Sequence, residues 1–236
     1  MNYLIHHLLN AEELNLIKKE LENCSQQDWE DGKKTAGSHA SMVKNNLQLN
    51  RDTEVSKKNA QLVTKKILSS QLIKSFSLPK RIHGIMFTKS SKNMHYGRHI
   101  DNPYMSSGRS DLSFTLSLTN KDFYKGGELI IETMNSEEKF KLNAGEIIIY
   151  PSSYLHAVNE VNNGERLVCV GWIESYVKSP EKRELFFLIF ALFEISIYGY
   201  FIPIKTVQPS KANFYTSSCI IFYISYELSN PSIIKR

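Results

Sequence analysis

His99-x-Asp101 puts an imidazole and a carboxylate two residues apart. On a β-strand, residues at that spacing project from the same face. Two such donors aimed together are two-thirds of a 2-His-1-carboxylate site, which grips one face of Fe(II) and leaves the opposite positions open to substrate and oxygen. The pair alone does not specify a metal, because a strand-edge histidine bonded to a neighbouring carboxylate is the ordinary outcome. A second histidine on another strand is needed. His156, 55 residues after Asp101 and at the start of an expected strand, supplies it. Ten residues further on, Arg166 opens the next strand and shares a face with Val168, Val170 and Trp172. A guanidinium on an otherwise apolar strand face needs an anion, since an unpaired buried charge is costly. Its planar fork suits a carboxylate gripped at two points. Glu128, Glu146 and Glu165 are possible ordinary partners for it within the chain.

These side chains need strands to aim them, and from about residue 81 the hydrophobic period is two. Residues 82–89 and 95–101 read as strands. In Asp111–Thr119, Leu112, Phe114, Leu116 and Leu118 alternate with Ser113, Thr115, Ser117 and Thr119. Turn signals at Tyr124-Lys125-Gly126-Gly127, Asn135-Ser136, Asn143-Ala144-Gly145, Pro151-Ser152-Ser153 and Asn162-Asn163-Gly164 separate further strands at 128–133, 139–142, 146–150, 155–161 and 166–174. Short strands at this spacing imply a mainly β sandwich or jelly roll.

Before that core, residues 11–23 read as a helix with Leu14, Ile17 and Leu21 on one face, capped by Asn10 with Glu13 three residues later. Residues 25–50 read as a polar surface or substrate-facing loop, 53–69 as a second helix, and Pro79 as the break after it. The expected division is therefore a helical and loop region over 1–80, a β core over 81–178 and an apolar tail over 179–236. Within the tail, Leu185–Ile204 carries a single charge, Glu194, with Gly199 and Pro203 interrupting it. A buried helix packed on the barrel fits better than a membrane span.

Composition excludes several classes. Of the 236 residues, 42% are hydrophobic, enough for a real core. The net charge of +5 is spread along the chain, which argues against a nucleic-acid partner. The three cysteines, Cys24, Cys169 and Cys219, are far apart and form neither a disulfide framework nor a Cys-x-x-Cys site. That implies a reducing, cytoplasmic setting, and no export signal is visible in Met1–His7.

Taken together, His99-x-Asp101, His156 and Arg166 resemble the Fe(II)/2-oxoglutarate-dependent dioxygenases, and within them the prolyl-4-hydroxylase-like branch of PKHD-type hydroxylases. The matching stretches run from Ala36-Gly37 and Val43-Lys44-Asn45-Asn46-x-Gln48-Leu49 through Tyr96-Gly97-x-His99-x-Asp101-Asn102 and Arg109-x-Asp111-Leu112-Ser113-x-Thr115-Leu116. They continue with Tyr124-x-Gly126-Gly127-Glu128-Leu129, Ala144-Gly145, Tyr150-Pro151-Ser152-Ser153-x-Leu155-His156 and Trp172-Ile173-x-Ser175. The resemblance covers about residues 1–187.

The resemblance implies a double-stranded β-helix (jelly-roll) core with flanking helices. It implies Fe(2+) on His99, Asp101 and His156, and 2-oxoglutarate with its C5 carboxylate on Arg166. The cofactor then carries most of the chemistry. It implies consumption of molecular oxygen, release of succinate and CO2, L-ascorbate as a re-reductant, and hydroxylation of an unidentified substrate of the peptidyl-prolyl kind. The family's tyrosine before His-x-Asp is absent from Met86–Asn93, so either Tyr96 or Thr115 takes its place toward the co-substrate or the co-substrate binds more weakly. The rival from another class is a non-catalytic metal-binding barrel, which would give Arg166 no purpose.

Overall fold

The structure, a computed structural model, describes residues 3–133 and 136–198, without the side chains of 38, 39 and 194–198. The chain opens with β1 (Leu4–His7), α1 (Ala11–Glu22), β2 (Trp29–Asp31), α2 (Ser38–Met42), β3 (Lys44–Asn45), β4 (Leu47–Leu49), α3 (Glu54–Ser69) and α4 (Gln71–Ser77). The strands β5 (Pro79–Ser90), β6 (His95–His99), β7 (Tyr104–Met105), β8 (Gly108–Arg109), β9 (Leu112–Ser117) and β10 (Tyr124–Gly126) follow. Then come β11 (Leu129–Glu132), β12 (Glu137–Phe140), β13 (Glu146–Pro151), β14 (His156–Val158), β15 (Val161–Gly164), β16 (Arg166–Ser175) and α5 (Pro180–Tyr198).

A seven-stranded sheet runs β1-β13-β9-β16-β5-β4-β2, and a five-stranded sheet runs β12-β11-β14-β6-β3. Residues of both line one cavity of about 880 Å³. This is the expected mainly β, jelly-roll architecture, with helices outside it. α1 starts at the anticipated capping box: Asn10 Oδ1 accepts from Glu13 N, and Glu13 Oε2 accepts from Asn10 N. Its Ile17 and Leu21 are buried. α3 is capped by Thr53 and packs on β5, with Val63 and Ile67 wholly buried.

The alternation in β9 has a less usual meaning than core against solvent. All six residues Leu112–Ser117 are buried. Phe114 and Leu116 belong to the apolar core together with Ile147, Ile149 and Cys169, their partners on β13 and β16. The other face forms a continuous inward row by register. Ser113 pairs with Tyr150 and Trp172, Thr115 with Ile148 and Val170, Val170 with Met86, Val168 with Thr88, and Thr88 with Gln48. Eight of those ten residues line the cavity: Ser113, Tyr150, Trp172, Thr115, Val170, Met86, Thr88 and, at the row's end, Gln48.

Several expectations are corrected. Residues 25–50 are not a plain loop: β2 and β4 extend the larger sheet, and β3 edges the smaller one. Strands of two or three residues are too short to show a period. The helix α4 was not visible, and it ends at Leu78 in the left-handed region (φ 44°). Tyr124–Gly126 and Val161–Gly164 are paired strands, not turns. Their glycines suggested turns because Gly126 (φ 74°) and Gly164 (φ 76°) do sit in the left-handed region, but at a bulge and a strand end. At Gly126 an added Cβ would lie 2.1 Å from Glu160 O, so the close pairing itself demands glycine. The expected turn at Asn135-Ser136 falls partly outside the described residues, between the paired strands β11 and β12.

The tail begins as a helix, and Phe187 packs edge-on against Phe76 of α4 at 5.6 Å. Leu185, Phe186, Ile189 and Phe193 are exposed, so only part of the expected burial is present. Among the described residues, no helix is long and apolar enough to cross a membrane. The part of Leu185–Ile204 beyond Tyr198 lies outside the described residues.

Candidate active site

β6 and β14 pair so that His99 lies directly opposite His156. A register shift between His156 and Val158 lets Tyr96, three residues before His99, line the same cavity. Gly97 lies between them because an added Cβ would sit 2.7 Å from Val43 Cβ. Its N–H bonds Val43 O at 2.8 Å, tying β6 to the segment before β3.

β6 ends at His99, so Asp101 is not on the strand that the spacing suggested. It still converges. His99 Nε2 lies 3.9 Å from Asp101 Oδ1, and His156 Nε2 lies 3.7 Å from Asp101 Oδ2. One donor atom from each of the three residues falls within 4.8 Å of the others. Ser113 Oγ donates to Asp101 Oδ2 at 2.6 Å and lies 2.8 Å from Ser152 Oγ, which replaces the strand as the device that aims the carboxylate.

Both rings are fixed in one tautomer. His99 Nδ1 lies 2.9 Å from Gly97 O and His156 Nδ1 lies 2.9 Å from Tyr154 O. A carbonyl only accepts, so each Nδ1 carries the hydrogen and each Nε2 keeps its lone pair toward Asp101. Burial, and then the His156 ring 4.2 Å away, push His99 down to about 4. At neutral pH it is a neutral imidazole, the form that binds a metal. Two free Nε2 lone pairs and a carboxylate suit a divalent iron and offer no thiolate to favour a softer ion.

Arg166 is 6% exposed and lines the same cavity. None of the glutamates proposed as its partners forms an ion pair with it. Its guanidinium bonds the Tyr124 hydroxyl, with Tyr150 and Glu128 acting at longer range. Gly127 (φ 67°) makes room for it: an added Cβ would be 3.1 Å from Arg166 Cδ. The glycine pair that read as a mere turn is therefore part of the site. Thr115 bonds Tyr150, whose burial raises its pKa and keeps the phenol neutral. Tyr96 stacks on His99 with centroids 3.7 Å apart. Where the family's tyrosine was missed, Met86, Thr88 and Ser90 face the cavity instead.

Sequence reasoning gave no role to Ser113, Tyr150, Gly127 or Lys44. The inward period of β9 and β13 was a usable signal for the first two. Lys44 is 4% exposed, its Nζ 3.4 Å from Thr35 Oγ1 and 5.0 Å over the Tyr96 ring. Burial first, and Arg51 second, bring its pKa down to about 8. His83, given no role, bonds Ser107 Oγ at 2.8 Å and Arg109 O at 3.0 Å. Arg109 in turn grips Asp111 through two bonds of 2.7 and 2.8 Å and holds Ser175 O. This network ties down the segment 102–110, from which Asn102 and residues 104–107 line the cavity.

The model of the 2OG-Fe(II) oxygenase superfamily matches residues 85–174, which include His99, Asp101, His156 and Arg166. A PKHD-type hydroxylase of Prochlorococcus marinus (strain MIT 9301) is 92% identical over 187 residues, covering 79% of this chain and 84% of its own length. Another, from strain MIT 9312, is 73% identical over the same coverage. Among solved structures, a Pseudomonas putida prolyl-4-hydroxylase matches with a TM-score of 0.53 at 16% identity, over 75% of this chain and 94% of that one. A Trichoplax adhaerens prolyl hydroxylase, in complex with a hypoxia inducible factor peptide fragment, gives 0.55 at 14% identity, over 78% and 86%. Both likenesses are of fold.

Proposed function

The chain belongs to the PKHD-type hydroxylases of the 2OG-Fe(II) oxygenase superfamily, and we propose that it hydroxylates its substrate with His99, Asp101 and His156 holding Fe(2+) and Arg166 holding 2-oxoglutarate. The observation that carries this is one cavity containing both a convergent His-Asp-His donor set and a buried guanidinium without a carboxylate. A barrel that only bound metal would have no use for the second.

Iron, when bound, supplies the redox chemistry by which dioxygen converts 2-oxoglutarate to succinate and CO2 and hydroxylates a substrate C–H bond. The chain's own residues prepare the site. Gly97 O and Tyr154 O keep both Nε2 lone pairs available, and Ser113 fixes the Asp101 carboxylate. Arg166 offers a bidentate grip to the C5 carboxylate, with Tyr124 beside it. Thr115 and Tyr96 line the same cavity and contact the co-substrate in this proposal. Leu129, Val158 and Val170 supply apolar lining that limits water.

L-Ascorbate serves in this proposal to restore iron oxidised without substrate turnover. The substrate is proposed to be a protein or peptide, as in the Trichoplax complex of the same fold. A reducing, cytoplasmic setting accords with the free thiols Cys24 and Cys169. The division at residues 80 and 178 is likewise proposed. The test is succinate formation from labelled 2-oxoglutarate by protein with Fe(II) and ascorbate. Turnover above the metal-free control supports the reading, and its absence in protein shown to bind both iron and 2-oxoglutarate opposes it.

A further inference from the structure

The cavity holds more positive charge than 2-oxoglutarate can neutralise through Arg166. Its lining includes Lys34, Lys44, Arg51, Arg98 and Arg166 against a single acidic residue, Asp101. Lys34 is paired with Glu30, and Arg98 with Glu132 and Glu137. Lys44 and Arg51 have no ion-pair partner among the described residues. Asp101 and Asp31 act on Lys44 only through space. Beside Lys44, Gln48 is 3% exposed; its Oε1 accepts from the Thr35 hydroxyl, and its Nε2 has no partner. The Lys44 ammonium has the Thr35 hydroxyl as an acceptor but no counter-charge, and the Gln48 amide N–H has no acceptor; both are costly to bury. Together they are a ready-made donor pair for an anion.

That anion need not be the co-substrate. Arg166 lies within residues 85–174, the part matched by the superfamily's model, whereas Lys44, Gln48 and Arg51 lie outside it. The shared core serves what all members have in common, and the added wall faces the molecule being oxidised. Lys44 also sits over Tyr96, the ring stacked on His99, which links its ammonium to the histidine side of the cavity.

We propose that Lys44, with the Gln48 amide and the Arg51 guanidinium, binds a carboxylate of the molecule that is hydroxylated, so that the substrate is an acid with its carboxylate close to the oxidised C–H bond. This rests on the function proposed above and narrows its substrate class. The carboxylate belongs either to a chain terminus or free acid, or to an acidic side chain of a peptide.

The test is calorimetric titration of the full chain loaded with Mn(II) and 2-oxoglutarate, which binds without turning over. One probe pair is N-acetyl-L-proline against N-acetyl-L-prolinamide, for a terminal carboxylate. The other is N-acetyl-L-aspartyl-L-prolinamide against its asparaginyl counterpart, for a side-chain carboxylate. The expected result is that at least one acid binds about tenfold or more tightly than its amide. Lys44→Met abolishes that preference and Gln48→Leu reduces it, while 2-oxoglutarate affinity is retained in both. Lys44→Met is also expected to keep or raise Tm, since it replaces an unpaired buried charge by an apolar group of similar length. A residue serving only the fold would give the opposite sign. Acids binding no better than amides, or an acid preference that survives Lys44→Met, overturns the proposal. So does a loss of 2-oxoglutarate affinity in Lys44→Met, which assigns the carboxylate to the co-substrate. Failure of the underlying function is read separately, as 2-oxoglutarate binding that ignores Arg166→Ala.

Discussion

The wall of the cavity built by β9, β13 and β16 and the wall built by residues 32–51 reach the same space by different means. In the first, long paired strands aim Ser113, Thr115, Tyr150 and Arg166 by period and register alone. In the second, strands of two and three residues and short helical turns bring in Thr35, Lys44 and Gln48, and neighbours fix their positions. The regular wall presents one cation beside a tyrosine, while the irregular wall presents Lys44 and Arg51, which have no ion-pair partner among the described residues, and a Gln48 amide N–H without an acceptor. A rigid sheet suits a ligand that never changes, whereas short segments on the rim can vary without disturbing the core. The three proposed metal ligands lie between these extremes: the two histidines are on paired strands, and the aspartate is just past a strand end.

The largest effect should come from removing that aspartate. Asp101→Ala is expected to lower iron affinity by more than the roughly 10–100-fold that follows loss of a mere supporting partner. The fold should survive, because Asp101 contributes no core packing. Equilibrium dialysis against Fe(II) under anaerobic conditions, with circular dichroism as the folding control, would show it. Unchanged iron binding would remove the carboxylate from the site.

Ser113→Ala is the next largest. It takes away the bond that aims Asp101 from the regular wall. Iron affinity is expected to fall about tenfold, at the lower end of effects for an outer partner. If affinity is unchanged, Asp101 is aimed by its own loop, and the contrast between strand-aimed and neighbour-aimed residues weakens.

A smaller effect is thermodynamic and belongs to the metal-free protein. His99 is held down to about 4 by burial and by His156, from an ordinary 6.5. The unfolded chain therefore binds a proton that the folded one refuses between those values. Stability is fully present above pH 6.5 and is lost as pH falls toward 4. Between pH 7 and 5 the loss should be on the order of 2 kcal/mol. Urea midpoints at the two pH values would measure it, and His99→Gln should flatten the dependence. A midpoint that rises on acidification would contradict the buried, neutral histidine.

Legibility in the sequence followed the same division. Arg166 lies on the strand face that its period predicts because β16 is ten residues long, and the alternation along β9 is legible for the same reason, though not which face lines the cavity. His99 and Asp101 were paired for a partly mistaken reason, since the strand stops at His99 and a serine from β9 does the aiming. Gly126 and Gly164 suggested turns because left-handed glycines occur both in turns and at bulged pairings, and the sequence does not separate the two. Lys44 lies in a stretch that matches the family, but nothing in the sequence showed its burial. A lysine among asparagines reads as solvated, and only tertiary packing buries it.

The measurement that bears most directly on this account is titration of 2-oxoglutarate into the anaerobic Fe(II) protein, followed by its metal-to-ligand charge-transfer band. Arg166 is buried beside Tyr124 without a carboxylate of its own. Arg166→Ala should weaken 2-oxoglutarate binding by roughly 10- to 100-fold, the worth of a charge-assisted bidentate contact, with iron affinity little changed. Arg166→Lys should recover part of the loss, because an ammonium lacks the planar fork. Equal 2-oxoglutarate affinities in the wild-type and Arg166→Ala proteins would contradict the account.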